Sequence, residues 1–97
     1  MYDRVLRLIP CDINQRITAA DISRILGIKG AEVRRYINQM RSLGIPVCSD
    51  SHGYYISRDQ EHVITQITSM ENRISAMKNA IGGLRLFLSG QGEYANT

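Results

Sequence analysis

Between positions 29 and 39 of this 97-residue chain, Lys29, Arg34, Arg35, Asn38 and Gln39 bring cations and carboxamides into one short stretch. Guanidinium and carboxamide groups carry paired donors and acceptors that match the major-groove edges of guanine and adenine, and an ammonium is a point charge suited to phosphate. The plainer alternative is a solvated helix face kept soluble by its charge. Little else in the chain offers chemistry. Cys48 and His52 form a C-x3-H fragment, but a closed zinc site needs four ligands and Cys48 sits in an apolar run, so a structural thiol is expected. Cys11 has no nucleophile context. The glycines of Gly82-Gly83 and Gly90-Gln91-Gly92 lack the Lys-Ser/Thr or strand-helix setting of a phosphate loop. Asp21, Glu32 and Asp50 are scattered carboxylates of the capping and surface kind. No enzyme, metal or cofactor is expected.

The charge is unevenly placed. Residues 16–58 carry seven basic side chains (Arg16, Arg24, Lys29, Arg34, Arg35, Arg41, Arg58) against three acidic ones (Asp21, Glu32, Asp50), a net of +4, while the whole chain carries only +3. The excess sits in the middle, which points to an anionic partner there. At 43% apolar and 22% charged residues the composition is that of a folding domain, and the length suits one domain plus an appendage. Two cysteines are too few for a secreted disulfide framework, and neither a signal peptide nor a membrane span of about 18 apolar residues is seen. The expectation is a cytoplasmic protein of a bacterium, or of the host cytoplasm if phage-encoded, with no membrane partner.

The elements that position these residues follow from periodicity. Val5, Leu6 and Ile9 predict a first helix stopped by Pro10. Thr18 followed three residues later by Asp21 resembles a capping box and starts a helix carrying Ile22, Ile25 and Leu26, ended by Gly27. A third helix begins after Lys29-Gly30 and runs to Leu43, stopped by Gly44. On its wheel Ile37, Met40 and Gly44 fall within about 40° of Val33, leaving Ala31, Arg34, Arg35, Asn38, Gln39 and Ser42 on the free side. Ile45–Cys48 and Tyr54–Ile56 read as short strands flanking the turn formers Ser49–Gly53. The fold class is mainly α, an α+β arrangement of a three-helix core, a small hairpin and a long C-terminal helix.

The order helix, short strand at Ile17, helix, tight turn, helix, hairpin resembles the winged helix-turn-helix DNA-binding domains of bacterial and phage regulators. The apolar set Ile22, Leu26, Ile28, Val33 and Tyr36, with Ser23 and Gly27 at the bend, carries the resemblance, as do Leu43-Gly44-Ile45-Pro46 and Gly53-Tyr54-Tyr55-Ile56. It covers residues 1–57. It implies sequence-specific binding of double-stranded DNA, with Arg34 and Asn38 on bases and Lys29 and Arg35 divided between bases and phosphates. The amides of Gly30 and Ala31 would hold a phosphate, Gln39 shares the free face, and Arg24, Arg41 and Arg58 are weaker phosphate candidates. The wing lacks Arg and Lys; His52 could reach a phosphate, although a solvated turn residue is the simpler role. Some such domains are protein-docking modules, so an adaptor in a replication or assembly complex is the competing expectation.

Val63, Ile67, Met70, Ile74, Met77, Ile81, Leu84 and Leu88 are spaced 4, 3, 4, 3, 4, 3, 4, a heptad seam. A helix over 58–88 is about 46 Å long, against roughly 25–30 Å for a globule of about 60 residues. The plainer reading is that the first turns, with Ile64 and Ile67, pack back on the globule; both uses are expected, core packing near residue 63 and a homodimer beyond 70, along the seam Ile67, Met70, Ile74, Met77, Ile81, Leu84 and Leu88. Isoleucines at a favour a parallel pair, whereas Arg73 facing Lys78 disfavours it, leaving orientation open. Gly82-Gly83 predict a kink or an end, and residues 90–97 a flexible tail.

Overall fold

The computed structural model describes residues 1–96. The chain divides into two compact units, Met1–Gln66 and Ile67–Thr97. The first holds helices α1 (Tyr2–Leu8), α2 (Ala19–Leu26) and α3 (Gly30–Ser42), then strands β1 (Val47–Asp50) and β2 (Gly53–Ile56). Helix α4 (Gln60–Leu88) contributes its first two turns to this unit and the rest to the second. No helix among the described residues is long and apolar enough to cross a membrane.

Local chemistry sets the boundaries. Thr18 is the N-cap of α2, its hydroxyl accepting from the Asp21 amide at 3.0 Å, as the capping pattern predicts. Gly27 ends the helix at φ 66°, a left-handed conformation that costs a residue with a Cβ about 1–2 kcal/mol. Three residues later α3 begins. The Ser23 hydroxyl donates to the Ile28 carbonyl across that turn, locking the two helices together. At the far end of α3, Gly44 N–H donates to Arg41 and Ile45 N–H to Met40, a Schellman closure that turns the chain into β1.

Val5, Ile9, Ile22, Val33, Ile37, Met40 and Val47 form the buried core, with Leu6, Leu26, Ile28, Tyr36 and Ile56 packed around it. Tyr36 meets Tyr2 edge-to-face at 6.3 Å, fixing α1 to α3. Ile25 is exposed, so α2 meets the core through buried Ile22 and half-buried Ala19 and Leu26. A short 3-10 turn, Ile13–Gln15, capped by Asp12, was not among the expected elements.

The hairpin differs from expectation. Val47 pairs with Ile56, Cys48 with Tyr55, Ser49 with Tyr54 and Asp50 with Gly53, so the turn is Ser51-His52 alone. Ser49 and Asp50 are strand residues because each finds a partner outside the turn. Asp50 takes Arg16 in an ion pair and accepts the His52 amide at 2.9 Å. The Ser49 amide donates to Gln66 Oε1 at 2.8 Å. Ile17 forms a bridge to Tyr54, with amide-carbonyl distances of 3.0 and 2.7 Å in the two directions. The approach is so close that a Cβ on Gly53 (φ 129°) would lie 2.5 Å from the Ile17 carbonyl oxygen.

Helix α4 starts at Asp59, whose Oδ1 accepts from the Glu61 amide at 2.9 Å, while Ser57 Oγ accepts from the Asp59 amide and lies 2.8 Å from His62 Nδ1. The residue that α4 buries is polar. Gln66 is 8% exposed, whereas Ile64 and Ile67, expected to pack inward, are exposed. The helix face is set by the Gln66–Ser49 hydrogen bond and the half-buried His62 and Val63, which puts Ile64 and Ile67 outside.

In the second unit α4 runs through Gly82-Gly83 to Leu88, so the helix does not end at the glycine pair. Neither glycine has the positive φ of a helix stop; Gly90 does, and Gly90 N–H to Phe87 with Gln91 N–H to Leu86 closes the helix. A 3-10 turn, Glu93–Asn96, occupies most of the expected tail, whose last residue, Thr97, lies outside the described residues.

Candidate nucleic-acid interface

Helix α3 lies with Val33, Ile37 and Met40 fully buried and Ala31, Arg34, Arg35, Asn38, Gln39 and Ser42 exposed. A 3.6-residue repeat imposes that split once the core takes the apolar stripe. Lys29 occupies the N-cap position, exposed, and no side chain caps this helix start. The first-turn amides of Gly30 and Ala31 therefore sit at the positive end of the helix dipole without a side-chain acceptor. The Arg34 guanidinium reaches back toward the same end, its Nη1 lying 3.4 Å from where a Gly30 Cβ would be. Arg35 lies 5.3 Å from the Tyr36 ring centroid, a cation-π contact that orients its guanidinium.

Apart from Arg58, exposed between β2 and α4, the basic residues of the middle segment fall into two groups. Arg16 is paired with Asp50 and Arg24 with Asp21 at 3.1 Å. Arg41, half-buried, donates through Nε to the Val47 carbonyl at 2.8 Å and through Nη2 to Ser49 Oγ at 3.2 Å. It ties the last turn of α3 to β1. Lys29, Arg34 and Arg35 form no ion pair among the described residues. Arg16 and Arg41 are thus taken up at joints of the fold and Arg24 by a neighbour on its own helix, while the cations on the outer face of α3 are in no ion pair among the described residues.

Of the expected site residues, Lys29, Gly30, Ala31, Arg34, Arg35, Asn38 and Gln39 come together along one helix. Arg24 stands apart on α2, and His52 at the hairpin tip, where its Nδ1 is 3.2 Å from Ser51 Oγ. Asp50, two residues before, is an acid: burial pushes its carboxyl up, but the His52 amide and the Arg16 guanidinium outweigh that and hold it below the ordinary value. Burial pushes the Cys48 thiol up, with Arg41 opposing, so it stays protonated and inert at neutral pH. Gln66 and the Arg16–Asp50 pair, both of which hold the hairpin, carried no signal in hydropathy or spacing.

On α4, Ile67, Ile74, Met77, Ile81, Leu84 and Leu88 are exposed and Met70 is half-buried. Leu86 and Phe87 add to this apolar surface. No protein-family model matches the chain, and neither does any curated protein or solved structure.

Proposed function

We propose that Met1–Gln66 is a winged helix-turn-helix module that binds double-stranded DNA, with α3 as its recognition helix, and that the chain works as a homodimer through α4, as a transcription regulator of a bacterium or phage. One observation carries the reading: the internal pairing of Arg16, Arg24 and Arg41 beside the unpaired Lys29, Arg34 and Arg35 on one exposed helix face. Desolvating a cation against phosphate or a base is cheaper when no internal carboxylate must first be given up. In this scheme Arg34 and Asn38 reach base edges, Lys29 and the amides of Gly30 and Ala31 take a phosphate, and Arg35 and Gln39 flank them. The short hairpin, with Asp50 near its tip, positions α3 and does not enter the minor groove.

Selection of bound sequences from a random duplex pool tests this directly, followed by titration of the winner at several salt concentrations. Affinity is expected to fall with a log-log slope of about −0.9 per phosphate contact. Arg34→Ala should cost about 1–3 kcal/mol at the selected site and relax specificity, whereas Lys29→Ala should weaken every duplex alike and lower the slope by about one. Absence of duplex binding at about 50 mM salt overturns the reading and favours a protein-docking adaptor.

A further inference from the structure

We infer that the apolar stripe of α4 is covered by a second copy of this chain in antiparallel register, centred between residues 75 and 76. This rests on the homodimer reading above and adds the orientation and the contacts. Val63 is half-buried within the first unit and Gln66 is taken by Ser49, which leaves Ile67, Met70, Ile74, Met77, Ile81 and Leu84 as the interior of the available seam. Their spacing, 3, 4, 3, 4, 3, is the same read in either direction. Two antiparallel copies therefore match every a position with a d position: Ile67 opposite Leu84, Met70 opposite Ile81, and Ile74 opposite Met77, each layer made twice. Each layer pairs a β-branched isoleucine with a methionine or a leucine; the same residues also fit the a and d preferences of a parallel pair, so packing alone does not choose the orientation.

Charge decides between the orientations. In antiparallel register the flanking e positions bring Glu71 of one copy to Lys78 of the other, twice. In parallel register Arg73 faces Lys78 twice, and the remaining g position that precedes Glu71 is Gln66, already committed to the hairpin. Two attractions against two repulsions, each of the size found for exposed helix pairs, amount to a preference of about tenfold. Gly82 and Gly83 fall on the outer b and c positions, where a Cβ would meet nothing, so they do not interrupt the seam. The 22 residues from Ile67 to Leu88 gain from such cover, because most helical stability in proteins comes from packing an apolar face and not from propensity.

Cross-linking of the full-length chain tests the register. In a Cys11→Ser background, which removes the exposed native thiol, Ile67→Cys and Leu84→Cys chains are oxidised separately and as a mixture. Antiparallel pairing predicts a disulfide between the two variants in the mixture and none within either alone, since residues 67 of the two copies would be about 25 Å apart along the axis. Self-cross-linking of Ile67→Cys would establish a parallel pair and overturn the proposal. Monomers in sedimentation, with no cross-link, would overturn the dimer as well. Lys78→Glu should weaken the pair about tenfold and Glu71→Lys/Lys78→Glu restore it. Duplex binding by the uncross-linked protein is scored independently, so a wrong register and a wrong reading of α3 give different results.

Discussion

Replacing Gly53 by alanine should damage the first unit more than any other glycine substitution in it, for reasons that can be added up. At φ 129° a side chain is rarely tolerated, which costs about 1–3 kcal/mol. The new Cβ would also lie 2.5 Å from the Ile17 carbonyl oxygen and 2.6 Å from its carbon, so one chain must move. Movement breaks the two Ile17–Tyr54 hydrogen bonds, about 1 kcal/mol each. The sum is about 3–5 kcal/mol, in a unit of this size whose whole stability is about 3–10 kcal/mol. Gly44→Ala is the control: its φ of 85° is also left-handed, but a Cβ there meets nothing, so only about 1–2 kcal/mol is expected. Urea unfolding followed by tyrosine fluorescence reads the difference, since Tyr2, Tyr36, Tyr54 and Tyr55 all belong to this unit. A Gly53→Ala protein no less stable than Gly44→Ala would refute the reasoning, because the clash with Ile17 and the hydrogen bonds it breaks supply most of the difference between them.

Gln66→Ala should cost about 1–3 kcal/mol by leaving the Ser49 amide without its acceptor, and hydrogen exchange at Ser49 should quicken. Asp50 and Asp21 both titrate below the ordinary Asp value, so the stability they supply is present above that value and disappears as pH falls through their folded pKa. The melting temperature should therefore drop below about pH 4, and less steeply in Asp50→Asn; an unchanged slope would remove Asp50 from the account. Gly82→Ala and Gly83→Ala should each strengthen α4 by about 1 kcal/mol, raising its helical signal on heating, since neither position needs a glycine.

The helical part of the first unit was readable from sequence because its signals are local. Thr18 with Asp21, Gly27, and the Val33-Ile37-Met40 stripe each act within one or two turns, and the structure places each in the expected role. What escaped depends on partners far away in the chain. Ser49 and Asp50 have turn-forming side chains, yet Gln66 and Arg16 hold them in a strand from 17 and 34 residues away. Arg41 reads as one more cation until β1 is laid beside it. At the start of α4 hydropathy points to Ile64 and Ile67, but the buried Gln66 carboxamide, accepting from the Ser49 amide, faces inward and the two isoleucines are exposed. The glycine pair does not end the helix because a stop needs a left-handed residue and a capping partner, which Gly90 supplies and Gly82-Gly83 do not.

The hairpin's outward-facing backbone groups are engaged on both sides. On β1 the Val47 carbonyl accepts from Arg41, the Val47 amide donates to Ile45 and the Ser49 amide to Gln66. On β2 Tyr54 exchanges both of its groups with Ile17, and the Ile56 amide donates to Pro10. A two-stranded sheet ordinarily offers two open templates for strand addition, the route by which folded domains are recruited into edge-to-edge aggregates. Here a guanidinium, a carboxamide and two stretches of chain occupy the places a foreign strand would take. The substitutions that release these plugs, at Arg41 or Gln66, should therefore be recognised by loss of solubility on storage before any loss of helix.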